Sequence, residues 1–233
     1  MVDPNTLWFN TVDAATLCKG GGNGENHPSQ LYAIRKYVKP GMSFLDYGSG
    51  SATTFDALWN SRLFYECDDT GGDLVEWMNI DYLGVDVIPK FTKWCQENRP
   101  RGNFKVNPSL HKIDQPDKSW DVVYSRHVVD HMKSFEEALD EHKRVAKKLV
   151  IVVLWTGLLD SDKHEIKNIV DQRGLPTEKI YPNEYTNNYS RKLVMDYLTS
   201  DPEWELLELT ENVGAEVKGC DTVLVLKRKN EQA

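Results

Sequence analysis

The run LVIVVLW, Leu149 to Trp155, places seven apolar residues in a row. A strand with one wet face alternates apolar and polar side chains, so an unbroken run rich in Val and Ile belongs to a strand covered on both faces. Helices packed on either side of a mostly parallel sheet give that cover. WDVVYS, Trp120 to Ser125, has the same character, and MSFLDYG and DYLGVDVI, Asp81 to Ile88, read as two further strands.

The segments between these strands carry helical spacing. SQLYAIRKYVKPG puts Leu31, Ile34 and Val38 on one face and stops at Pro40-Gly41, and ATTFDALWNSRLF follows the first strand. PKFTKWCQENRP opens with Pro89 in its first turn, then gathers Phe91, Trp94 and Cys95. SFEEALDEHKRVAKK starts with a capping box, Ser134 with Glu137, and buries Phe135, Ala138, Leu139 and Val145. The spacing predicts one helix through Lys148. NFKVN is a weaker strand, YSRKLVMDYLTS a helix, and EWELLELTENV and DTVLVLKRK two strands separated only by GAEVKGC. That linker is too short for a helical crossover, so the last two strands pair antiparallel.

This organisation predicts one domain over 30–233, an insertion near 62–80 where ECDDTGGDLVEW reads as an excursion, and a flexible segment or lid over 1–29 that includes the glycine-rich CKGGGNGENHP. With 36 acidic and 28 basic residues the net charge is −8, which argues against a polyanion-binding surface and so against nucleic acid as partner. No apolar run reaches about 18 residues, and MVDPNTLWFNTVD lacks the regions of a signal peptide. The expectation is a soluble cytoplasmic protein with no membrane span. Cys18, Cys67, Cys95 and Cys220 form no CxxC pair and read as buried thiols. HEIKN at His164 is not HExxH, so no metal is assigned.

FLDYGSGSATTF, Phe44 to Phe55, leads from a strand through Gly48 and Gly50 into small polar residues that open a helix. Glycines there let a ligand touch the backbone, or serve a tight strand-to-helix turn. A dinucleotide fingerprint needs a third glycine where this chain has Thr53, which weakens the pyrophosphate reading. Asp86 ends the next strand, positioned either to accept both hydroxyls of a ribose or to cap the helix at Pro89, with Val87 and Ile88 beside it for a purine.

In order and spacing, FLDYGSGSATTF, YLGVDVI and DKSWDVVYSRHVVDHMKSFEEALDEHKRVAKK resemble the glycine motif, ribose-binding acid and fourth strand with its helix of class I S-adenosylmethionine-dependent methyltransferases, the group labelled methyltransferase domain 11 or 25. The resemblance covers residues 30 to 155. It implies a three-layer α/β Rossmann-like fold with a mostly parallel seven-stranded sheet ending in an antiparallel hairpin, and S-adenosyl-L-methionine as cofactor. Carried over, Gly48, Ser49 and Gly50 approach the methionine part, Asp46 holds its amino end, Asp86 takes the ribose with Val87 beside it for the purine, and Ser125 lines the strand end. The family's Asp-Ala before D-x-S-F-D is replaced by Ser109-Leu110, which leaves Leu110 to contact adenine through backbone and packing. The separation of Asp46 and Asp86 exceeds the fingerprint spacing, consistent with the insertion.

Methyl transfer from a sulfonium depends on alignment and desolvation, and an acceptor hydroxyl also needs a base. His127 and His131, just after the fourth strand, are the catalytic candidates, His131 with the alternative of ordering its loop. Asp130 between them reads as a solvated acid. Arg126 is placed to bind an anionic acceptor group or to form a surface salt bridge, and Tyr185 and Tyr189 to line the acceptor pocket or pack in the core. YSRHV differs from the N/D-P-P-Y/F strand end of amide- and base-directed methyltransferases, which favours a small-molecule, sugar or lipid-like acceptor. Two other readings are a nicotinamide-dependent oxidoreductase and a noncatalytic nucleoside-binding interaction domain.

Overall fold

The computed structural model describes residues 28–39, 41–60, 80–171, 179–213 and 221–229. In chain order the elements are α1 (Pro28–Tyr37), β1 (Ser43–Tyr47), α2 (Thr53–Asn60), β2 (Asp81–Asp86), α3 (Pro89–Asn98), β3 (Asn103–Val106) and β4 (Trp120–Arg126). A 3₁₀ turn (Val129–His131) leads to α4 (Phe135–Val145), β5 (Ala146–Leu154), β6 (Glu165–Asp171), β7 (Lys179–Asn188), α5 (Arg191–Ser200), β8 (Trp204–Val213) and β9 (Asp221–Arg228). The expected N-terminal lid, the insertion near 62–80 and Cys18, Cys67 and Cys220 lie outside the described residues.

Seven strands form one sheet in the order β3-β2-β1-β4-β5-β9-β8. β1 to β5 are parallel, and β9 runs antiparallel to both β5 and β8. The order reverses between β1 and β4, which opens a crevice beyond their carboxyl ends. This is the three-layer Rossmann-like methyltransferase architecture with its terminal antiparallel hairpin.

Neighbouring residues of each central strand enter opposite cores. Leu45, Val123, Val150, Val152 and Leu224 pack with α4 and α5, whereas Phe44, Val122, Tyr124, Ile151 and Val225 pack with α1 and α2. That two-sided burial is why LVIVVLW and WDVVYS have no polar alternation. Cys95 is a buried thiol on the second side, in no disulfide, and donates to the Gly50 carbonyl at 3.3 Å.

Local signals set the helix starts. Ser134 Oγ accepts the Glu137 amide at 3.2 Å, while its own hydroxyl donates to Glu136 rather than Glu137 reaching back. Pro89 occupies the first turn of α3. At the other end α4 stops at Val145, not Lys148, and Ala146 to Lys148 are already strand. Ala146 pairs with Trp120, and Arg228 of β9 donates to the carbonyls of Lys143, Ala146 and Lys147. Sheet pairing and this capping outweigh the helical preference of Ala and Lys.

The β6–β7 hairpin has no counterpart among the strands expected from the sequence. It stands apart from the main sheet, and its β7 strand packs on the 3₁₀ turn: Asn187 Nδ2 donates to the Met132 carbonyl and the Tyr189 hydroxyl to that of Val129. The hairpin therefore sits beside the β4 end of the crevice. Among the described residues, no helix is long and apolar enough to cross a membrane.

Candidate active site

The turn after β1 is sewn to β2. Gly48 and Ser49 both donate to the Val85 carbonyl, at 2.8 and 3.1 Å, and Gly50 N–H donates to Asp86 Oδ2 at 2.9 Å. Gly48 and Gly50 have φ of +75° and +52°, which glycine adopts without the penalty of a Cβ. A Cβ on Gly48 would lie 2.2 Å from Val128 Cγ2, so this glycine is required by packing within the protein. A Cβ on Gly50 would meet nothing within 4 Å. The two glycines thus do different work, and the open backbone is that of Gly50.

Asp86 ends β2, buried, with Ile88 N–H on Oδ1 at 2.8 Å and Gly50 N–H on Oδ2. It therefore holds the residue that precedes α3 and anchors the glycine turn at once. Each oxygen retains a lone pair for a hydroxyl donor. Burial pushes its pKa up to about 6 against the help of the two amides. Val87 is half-buried next to it.

Asp46 faces the α1–α2 side of the sheet, 2% exposed, where Tyr82 Oη donates to its Oδ2 at 2.7 Å. Desolvation raises its pKa to about 7, with the Tyr82 hydrogen bond opposing and the Asp86 charge adding to the rise. Ser109 and Leu110 lie in the loop after β3. Asn107 Nδ2 donates to the Ser109 and Lys112 carbonyls, Tyr47 Oη donates to the Leu110 carbonyl at 2.6 Å, and Ser109 Oγ accepts the His111 amide. The loop is held by its backbone, so Leu110 can present apolar surface without a side-chain anchor.

Ser125 is fully buried on the α4 side, its hydroxyl donating to His142 Nε2 at 3.0 Å. His142 Nδ1 donates to the Ala138 carbonyl at 2.6 Å, which fixes the neutral tautomer, and burial pushes its pKa down to about 4. The hydroxyl of Ser125 is thereby directed into the core rather than into the crevice.

Past β4 the chain turns with His127 at φ +56°. His127 Nε2 lies 3.1 Å from Asp221 Oδ2 at the start of β9, and Ser29 of α1 donates to the same oxygen at 2.5 Å. The structure thus unites three residues far apart in sequence. His131 is held differently: its Nδ1 donates to the Tyr185 carbonyl at 2.7 Å, its ring packs edge-on to Trp155 at 5.2 Å, and burial lowers its pKa. It orders the 3₁₀ turn against β7.

Two expectations about the neighbours are corrected. Asp130 is not a solvated acid: it is fully buried, faces the Trp155 amide at 3.4 Å, and is driven by burial to a pKa of about 8. Arg126 forms no surface salt bridge: its side chain is only 9% exposed, and its ion pair with Asp221, at 4.0 Å, is buried. Tyr189 is 1% exposed and belongs to the core beside Phe135, and Tyr185 is half-buried. Tyr82, His142, Asp221, Ser29 and Trp155 were not singled out in the sequence. Only the end of an apolar run marks Trp155, and nothing local marks the others.

Residues 45–154 match the family model described as methyltransferase domain. A ribosomal protein L11 methyltransferase of Thermosipho africanus is 29% identical over 175 residues, 72% of this chain but 58% of that protein, so the chain spans less than two thirds of this relative. Among solved structures, a methyltransferase of Methanosarcina mazei superposes with a TM-score of 0.61 at 12% identity, covering 89% of this chain and 100% of that one. A methyltransferase of Aquifex aeolicus gives 0.52 at 19% identity, over 87% and 94%. The 1,6-didemethyltoxoflavin-N1-methyltransferase of Burkholderia thailandensis, solved with bound 1,6-didemethyltoxoflavin and S-adenosylhomocysteine, gives 0.53 at 10% identity over 87% and 77%. The fold, the glycine turn and the match over residues 45–154 thus make the chain similar to class I S-adenosylmethionine-dependent methyltransferases.

Proposed function

We propose that this chain binds S-adenosylmethionine across the β1–β2 strand ends and transfers its methyl group to a small-molecule, sugar or lipid-like acceptor. The observation that carries the cofactor site is the coupling of Gly50 to Asp86: an open glycine backbone tied to a buried acid with lone pairs to spare. These residues fit a nucleoside bearing an amino-acid arm. Asp86 holds the ribose, with Val87 beside it, and Leu110 packs on the adenine. Gly48, Ser49 and Gly50 present backbone to the methionine part, and Asp46 stands behind that turn. Ser109 and Ser125 contribute by holding the loop after β3 and the β4 end in place.

The cofactor, when bound, supplies an electrophilic methyl on sulfur. For a hydroxyl acceptor His127 removes the proton, its Asp221 partner favouring the imidazolium that results. His131, tied to Tyr185, shapes the acceptor side. Tyr185 supplies a wall there, and Tyr189 sets the position of that wall from the core.

A protein acceptor is a second reading, favoured by the Thermosipho relative named for methylating a ribosomal protein. Calorimetry with S-adenosylmethionine, S-adenosylhomocysteine and NAD tests the cofactor. We expect both sulfur nucleosides to bind, and NAD binding without either overturns the assignment in favour of an oxidoreductase. Cofactor labelled at the methyl group, incubated with a cell extract, then separates the acceptors by whether label enters metabolites or protein. Label in neither class leaves a nucleoside-binding domain without transferase activity.

A further inference from the structure

The guanidinium of Arg126 has its charge balanced but its hydrogen bonds unmade. Nε and Nη2 are buried and have no hydrogen-bond partner among the described residues. Asp221 Oδ2 stands 4.0 Å from Nη2, beyond hydrogen-bonding range, and accepts instead from Ser29 and engages His127. Buried donors without partners are costly, and arginine is the side chain whose desolvated donors gain most from a planar anion. Nε and Nη2 lie on the same side of the guanidinium and form the fork that grips a carboxylate with two parallel hydrogen bonds.

The fork lies at the reactive end of the sheet. Tyr47 pairs with Ser125 across β1 and β4, so Arg126 stands alongside Gly48 where the glycine turn begins. Its charge reaches Asp46 on the same side. At the end of the neighbouring strand Trp155 Nε1 is a second buried donor without a partner. Asp221 nearby repels a doubly charged phosphate more than a singly charged carboxylate.

We propose that Arg126 is a carboxylate receptor in the crevice, its ligand carried by the amino-acid arm of the cofactor or by the acceptor. This rests on the methyltransferase reading and adds to it the recognition of one charged group. The two sources differ in what depends on Arg126.

The test uses the full chain and its Arg126→Gln and Arg126→Lys variants, titrated calorimetrically with S-adenosylhomocysteine and with 5′-methylthioadenosine, which lacks the amino-acid arm. Acetate is then titrated into the S-adenosylhomocysteine complex. If the cofactor supplies the carboxylate, Arg126→Gln weakens S-adenosylhomocysteine at least about tenfold and leaves 5′-methylthioadenosine unchanged, as expected for a lost bidentate charged pair. Arg126→Lys keeps the charge without the fork and falls between. If the acceptor supplies it, both nucleosides bind all three proteins alike, and acetate binds the wild-type complex but not that of Arg126→Gln.

Equal weakening of both nucleosides shows a purely structural arginine and overturns the proposal. So does unchanged nucleoside binding with acetate bound equally by both proteins or by neither. A wild-type protein that binds neither nucleoside instead removes the methyltransferase reading itself.

Discussion

Gly50 donates its amide to Asp86 Oδ2 at 2.9 Å, so the glycine turn after β1 and the acid that ends β2 form one hydrogen-bonded unit. Asp86→Ala removes the acceptor of both Gly50 and Ile88. We expect S-adenosylhomocysteine binding to weaken at least about tenfold and stability to fall by about 1–3 kcal/mol, the cost of leaving buried amides unpaired. Calorimetry and a thermal melt of the same sample read the two effects separately. Unchanged affinity would take Asp86 out of the ribose site.

The same acid has opposite pH signatures in binding and in folding. Its folded pKa, about 6, lies above the unfolded value, so its contribution to stability is fully present below about pH 4 and is lost as pH rises through 6. Ribose hydroxyls donate to the ionised form, so cofactor affinity moves the other way and weakens as pH falls through 6. Asp86→Asn cannot titrate. Dissociation constants at pH 5 and 7.5 should therefore differ more in the wild type than in the variant, where Asp46 still titrates. A pH dependence equal in both proteins would place its origin elsewhere.

Gly48 and Gly50 separate a folding requirement from a ligand requirement. Gly48→Ala forces a Cβ to 2.2 Å from Val128 on a backbone at φ +75°, and the melting temperature should drop sharply. Gly50→Ala adds a Cβ to open space, so its cost is the left-handed backbone alone, about 1–2 kcal/mol. Gly50→Ala should fold and yet bind S-adenosylhomocysteine poorly. Full affinity in that variant would mean that the ligand does not approach Gly50.

Ser125→Ala deprives His142 Nε2 of its donor deep in the α4 side of the core. His142 cannot compensate by accepting a proton, because burial holds its pKa near 4 and Nδ1 already carries the hydrogen given to Ala138. We expect a loss of about 1–3 kcal/mol in urea denaturation, with nucleoside affinity close to wild type. A normal melt with impaired binding would show instead that Ser125 serves the cofactor directly.

The elements readable in the sequence are those whose partners are dictated locally or by two-sided burial. LVIVVLW reads as a central strand because Val150 and Ile151 enter different cores, and Ser134 reads as a cap because its acceptor role is completed three residues on. The β6–β7 hairpin was illegible for a physical reason. Asn168 pairs with Tyr185 but Ile169 with Tyr181, so β7 accommodates Pro182 in an irregularity of the ladder, where a missing amide is tolerated. At the site, Gly48, Gly50 and Asp86 carry a spacing that can be read. Ser29, His127 and Asp221 do not, since 94 residues separate His127 from Asp221 and 192 separate Ser29 from it.

Tyr82 Oη donates to Asp46 Oδ2 at 2.7 Å within the α1–α2 side of the core, and the hydrogen bond favours the ionised carboxyl. Even with that help, burial leaves Asp46 at about 7. In Tyr82→Phe the carboxylate loses its donor and its pKa moves further up. The variant's penalty is therefore full only where the wild-type Asp46 is charged, above pH 7, and about 1.5–3 kcal/mol is expected there for a hydrogen bond to an ion. As pH falls through 7 the folded wild type binds a proton too, and the difference between the proteins narrows. Urea denaturation at pH 5.5 and 8.5 measures it. A penalty equal at both would show that Asp46 keeps one protonation state across the range, and that the acid behind the glycine turn is not poised to titrate.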